Sequence, residues 1–210
     1  MPAEPGGPTA GGPGPAPASG PLPRRPRLVF LVIGLVAAAA LGVGLLLTAP
    51  GGTSSSPAGG PGPGSPVPSF SLARLGGGPP VGVPGAGGGS GHPAVLVFFA
   101  SWCGPCQAEV PALAAIYRAQ TAGGATPRVA VVGIDGSDPT HNALAFVHAA
   151  RVTFPVAADP DYSVTQGLFA FTGLPESVMV RGDGTIAHIT YGALSPADFR
   201  AWERRLATPT

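Results

Sequence analysis

The 210-residue chain contains no lysine; its eleven basic side chains are all arginine, ten carboxylates nearly balance them, and charged residues make up only 10% of the sequence. So thin and even a charge excludes the dense basic patch with which a protein neutralises several phosphates of a nucleic acid. Cysteine is as scarce. The chain has two, Cys103 and Cys106, too few for a disulfide-stapled scaffold and too few for a four-cysteine zinc site. Zinc would need two further ligands from His92, His141, His148 and His188, and none of these has paired spacing near the cysteines. No metal and no cofactor are expected.

Glycine and proline are abundant, 34 and 28 residues, and concentrate before Ala94. Residues 1–27 read as a disordered cytoplasmic tail, because such a tract cannot bury enough apolar surface to offset chain ordering. Residues 28–48 carry no charge. As a helix rising about 1.5 Å per residue they span about 30 Å, the hydrocarbon thickness of a bilayer. A cleaved signal peptide is the competing reading, but the stretch is long for one and Pro50 sits badly at a cleavage site. Arg24, Arg25 and Arg27 precede the span and no charge follows until Arg74. That asymmetry places the N-terminus in the cytoplasm and the rest of the chain outside it, on a single-pass anchor in the cell membrane. Residues 49–67 form a Gly/Pro/Ser linker, and 68–207 suit one domain.

Within that domain, Ala94 to Ala100 is a continuous apolar run with the pattern of a strand buried on both faces. Cys103 to Ala119 reads as a helix that Pro111 should kink, stopped by Gly123 and Gly124. A second buried strand follows over Val129 to Ile134. A helix over Pro139 to Ala150 comes next, with Asp138 as N-cap and Pro139 at its first position. Phe154 to Ala158 suggests a short strand, and Tyr162 to Phe171 a helical stretch. Ser177 to Arg181 and Thr185 to Tyr191 suggest a hairpin turning at Gly182-Asp183-Gly184. Pro196 to Leu206 closes as a helix capped by Ser195. Phe70, Leu72 and Leu75 permit only a short, loosely specified early hairpin.

Trp102-Cys103-Gly104-Pro105-Cys106 therefore lies where a buried strand becomes a helix. First-turn N–H groups and the positive end of the helix dipole stabilise a thiolate, so Cys103 is the expected nucleophile. Cys106, one turn on and facing inward, is suited to attack the mixed disulfide and release the partner. A purely structural disulfide is the bland alternative, but a loop of two intervening residues constrains the unfolded chain very little. Trp102 is expected to pack over the cysteines. Glu109, a turn beyond Cys106, is a candidate to approach its thiol, or else a helix-surface carboxylate; Asp135 and Asp138 after the second strand are other acids near the site.

The pentapeptide in this context resembles the thioredoxin superfamily. Its continuation, Cys106-Gln107-Ala108-Glu109-Val110-Pro111-Ala112-Leu113, and Phe154-Pro155-Val156 with Asp159 and Tyr162, resemble the TlpA/ResA-like, cytochrome c biogenesis branch. The resemblance covers Pro68 to Leu206. It implies an α/β, thioredoxin-like fold with a central mixed sheet and helices on both faces, behind the transmembrane helix and linker. It implies a cis bond before Pro175, and a groove in which the Leu174 backbone pairs with an extended substrate. Gly104 and Pro105 between the cysteines, with Trp102, Glu109 and Pro175, support the couple. Two departures stand out. Val97 occupies the place of the superfamily's buried acid, and the accompanying lysine is absent. Ser137 or Asp138 is the nearest match to the acid this branch carries in the loop after the second strand.

The function implied is an extracytoplasmic thiol–disulfide oxidoreductase that reduces disulfides of exported proteins, apocytochrome c among the possible substrates. A membrane electron relay would recharge it. A DsbE-like oxidant of exported proteins is the alternative within the same chemistry. A non-catalytic, membrane-tethered peptide-binding module is the alternative outside it, against which the intact pentapeptide argues.

Overall fold

The computed structural model describes residues 59–84 and 91–208. The expected cytoplasmic tail, the expected membrane span and the first part of the expected linker lie outside the described residues. Among those described, no helix is long and apolar enough to cross a membrane.

Two short strands, β1 (Ser71–Leu72) and β2 (Val81–Gly82), pair antiparallel. Then come β3 (Ala94–Phe99), α1 (Cys106–Gln120), β4 (Ala130–Gly136), α2 (Thr140–Ala149), β5 (Val156–Asp159), β6 (Glu176–Val180), β7 (Ile186–Tyr191) and α3 (Pro196–Leu206). The five later strands form one mixed sheet in the order β5-β4-β3-β6-β7, parallel across β3, β4 and β5 and antiparallel across β6 and β7. Central β3 is wholly buried, which is why its sequence does not alternate in polarity.

Alternate residues of β3 serve two cores. Val95, Val97 and Phe99 meet Val110, Leu113 and Ala114 of α1, Phe199 of α3, and Phe146 and Val147 of α2. Leu96 and Phe98 face Val67, Val81, Val83, Val164, Phe169 and Phe171. The described helices thus pack on one face, and the other is covered by the N-terminal segment and a turn-rich stretch. The helix expected over Tyr162 to Phe171, which would have covered that second face, is instead a run of turns. Asp159 is the reason: its carboxylate accepts the backbone N–H groups of Val164 and Thr165 and the hydroxyls of Ser163 and Thr165, at 2.7–3.1 Å. Tyr162 and Ala170 take positive φ at either end.

Three other boundaries move. The first helix begins at Cys106, with Cys103 outside it, because Pro105 occupies the N-cap. The second begins at Thr140 with Pro139 at its N-cap, and Asp138 makes no capping bond because its carboxylate is drawn to Ser101. The linker expected to reach residue 67 ends sooner, since Gly64 and Val67 donate to the Ile186 and Gly184 carbonyls and Val67 is buried. The closing helix is as expected, with the Ser195 hydroxyl accepting from Asp198 N–H.

Candidate active site

Chain direction puts the ends of β3 and β4 at one pole, and the loop Ala100–Pro105 leads from β3 into α1 there. Cys103 and Cys106 are joined as a disulfide with their Cα atoms 5.2 Å apart. Both are buried, Cys106 completely and Cys103 with 4% of its surface open. The Cys106 N–H points at the Cys103 sulfur at 3.3 Å. A backbone donor is therefore in place at the atom where a thiolate would form.

Trp102 is 57% exposed, its indole N–H reaching the Ser137 carbonyl at 3.3 Å. Gly104 and Pro105 are exposed in the turn between the sulfurs. The bond from Leu174 to Pro175 is cis, and Pro175 is buried at the start of β6. Leu174 is partly buried against both cores.

Glu109 is buried, contrary to a helix-surface role. One carboxylate oxygen accepts the Leu194 N–H at 3.2 Å and Oε2 has no hydrogen-bond partner. Burial pushes its pKa up to about 7, opposed by the Leu194 N–H and the nearby Ser177 hydroxyl. Val97 is fully buried in the core that holds both sulfurs, with Ser177 as its neighbour across β6. A buried carboxyl group of the first helix thus lies on the Val97 side of the sheet, near Ser177.

A second acidic group lies below the Ser101–Cys103 loop. Asp138 accepts the Ser101 N–H at 2.6 Å and its hydroxyl at 2.8 Å, while Gln107 donates to the Ser101 carbonyl at 2.9 Å. Asp135, the next acid on β4, is buried, and its Oδ1 has no partner. Burial first, then the Asp138 carboxylate and Asp159, push Asp135 up to about 8. Sequence reasoning missed Glu176, which follows Pro175, is buried, and is raised to about 7 by desolvation. It also missed Ser101, and it noted Asp159 only as a mark of the family resemblance, not as the acceptor that holds the turn after β5. Their signal is three-dimensional: only pairing of β4 with β3 and β5 brings those loops together.

The defining pattern of the AhpC/TSA family matches residues 63–189. The chain belongs to this family. Within it, the chain is 35% identical over 103 residues to the thiol:disulfide interchange protein DsbE homolog of Paracoccus denitrificans, 49% of this chain and 52% of that one. It is 30% identical over 105 residues to the thiol-disulfide oxidoreductase ResA of Oceanobacillus iheyensis, 50% and 52% of the two chains. It spans about half the length of these curated relatives. Among solved structures, a secreted Mycobacterium tuberculosis disulfide oxidoreductase homologous to E. coli DsbE superposes with a TM-score of 0.54 at 28% identity, over 65% of this chain and 96% of that one. This AhpC/TSA chain thus has the thioredoxin-like mixed sheet of those oxidoreductases, with a cysteine pair at the head of its first helix.

Proposed function

We propose that the chain is a thiol–disulfide oxidoreductase that reduces disulfides of exported proteins, anchored in the membrane by residues 28–48 with its C-terminal domain outside the cytoplasm. The observation that carries the chemistry is the Cys106 N–H aimed at the Cys103 sulfur, at the junction of a buried strand and a helix. In the reductive cycle the Cys103 thiolate attacks a substrate disulfide. One substrate sulfur leaves and takes a proton, and the other stays in a mixed disulfide with Cys103. Cys106, buried and one turn on, then attacks the Cys103 sulfur, losing its proton as the substrate thiol departs. Glu109 is the proton acceptor we assign to Cys106. The Leu174 backbone beside Pro175 is the edge on which an extended substrate segment would pair. A membrane-embedded dithiol donor would restore the reduced couple.

Support for the reductive direction comes from the ResA relatives and the Gly-Pro dipeptide between the cysteines. The test is the equilibrium potential of the couple against dithiothreitol. A value near −270 mV, about that of thioredoxin, is expected; one near −120 mV, about that of a dedicated oxidant, would make the chain a disulfide donor instead.

A further inference from the structure

The mechanism above leaves one buried arrangement unused. The loop carrying the nucleophile is held from below by a carboxyl group, not only by its own helix. Asp138 takes both the N–H and the hydroxyl of Ser101, two residues before Cys103. It is itself buried. Behind it stands Asp135, buried, with Oδ1 meeting no partner and the Asp138 carboxyl within hydrogen-bonding reach. Asp159 faces them from β5, but its oxygens are taken by four donors of the turn Ser163–Thr165. Tyr162, from that turn, feels all three carboxylates, and its ring lies against Gly136, where an added Cβ would stand 2.7 Å from it. Among the described residues, the titratable groups whose charge bears on Asp135 are Asp138, Asp159 and Tyr162, and none is a cation.

We propose that Asp138 and Asp135 are positioning residues of the exchange reaction: a carboxyl pair that holds one proton, clamps the Ser101–Cys103 loop, and couples its charge to the charge on Cys103. This rests on the thiol-exchange reading and adds a proton to it. Reduction by a dithiol breaks the Cys103–Cys106 bond and converts the donor to its disulfide. Of the donor's two protons, one goes to the Cys106 thiol, and the other is released as Cys103 becomes a thiolate. Where the pair is doubly ionised in the oxidised protein, that second proton stays on the pair, because the new thiolate disfavours two negative charges beside it. Reduction then depends on pH through the pair as well as through the sulfurs.

The experiment is the equilibrium of the full chain with dithiothreitol from pH 5 to 9, in a Glu109→Gln background so that the helix carboxylate does not contribute. Relative to E109Q/D135N, in which the proton lost at Cys103 goes to solvent, the parent is expected to show a profile shallower by up to tenfold in the equilibrium constant per pH unit, confined to a window above pH 6. Identical profiles would overturn the proposal. Ser101→Ala removes one donor to Asp138 and is expected to move that window upward by about one pH unit; an unmoved window would overturn the clamp. Should D135N fail to fold, carboxyl-carbon NMR of the wild-type chain labelled at aspartate answers the same question. One aspartate titrating above pH 6 is expected, and none doing so sinks the pair. The exchange reading fails separately, by Cys106→Ser forming no mixed disulfide with any protein disulfide while the proton coupling persists.

Discussion

The two sulfurs differ in the work their surroundings allow. Cys103 retains a sliver of exposure and a backbone donor, whereas Cys106 is sealed. Cys106→Ser is therefore expected to accumulate partners as mixed disulfides on Cys103, and Cys103→Ser to accumulate none, read by nonreducing gels after acid trapping. Equal yields from both variants would contradict the assignment of the attacking sulfur. Glu109 adds a pH dependence with a definite sign. It accepts a proton only when ionised, and burial holds its pKa at about 7, so the resolving step should accelerate as pH rises through that value. Glu109→Gln is expected to slow resolution roughly 100-fold and to flatten this limb of the profile, measured as single-turnover release of a labelled peptide disulfide. An unchanged limb would return Glu109 to a packing role. This residue illustrates what the sequence can and cannot convey. Its spacing from Cys106 made it a candidate, but only the Leu194 N–H from a loop 85 positions away shows that it is buried.

At the scale of elements, legibility followed the range of the interactions. β3, β4, the β6–β7 hairpin and α3 were readable because apolar runs, a Gly-Asp-Gly turn and a Ser cap act within a few residues. The stretch from Tyr162 to Phe171 was not, because the contest there is decided by one side chain. Asp159 sits at the end of β5 and offers the following amides a fixed partner, in competition with helix formation. The same competition explains the missed cap at Asp138, whose carboxylate finds Ser101 across the sheet before it finds its own helix. Asp159→Ala leaves two backbone N–H groups and two hydroxyls without their acceptor in a largely buried setting. It is expected to cost about 3–5 kcal/mol in urea denaturation and to expose Phe169 and Phe171, which pack on Phe98. A loss under about 1 kcal/mol would show that the turn is held by its aromatic contacts instead.

For the molecule as a whole, the carboxylates with a shifted pKa fall into two groups, lowered and raised. Asp161 and Asp183 lie on exposed turns and are lowered by hydrogen bonds from Ser163 and Thr185. Both are ionised, folded or unfolded, anywhere above about pH 4, so they do not shape stability in the neutral range. Glu109, Asp135 and Glu176 are raised by burial to about 7, 8 and 7, and Glu203 is raised in the same direction. A folded state with raised carboxyl pKa values binds protons that the unfolded chain has already released. Stability is then fullest below about pH 4 to 5 as far as these groups are concerned, and it declines as pH rises through 7 and 8. The oxidised cysteines do not titrate and add nothing to the slope. Denaturation of the oxidised chain at pH 5 and pH 8.5 is expected to differ by roughly 1–3 kcal/mol in favour of the lower pH, after allowance for solvent screening. Asp135→Asn should narrow the difference, because the amide is neutral at both values. A chain equally stable at both, or more stable at pH 8.5, would mean that these carboxylates are hydrated in solution and that the acidic pole around the cysteines holds no proton in reserve.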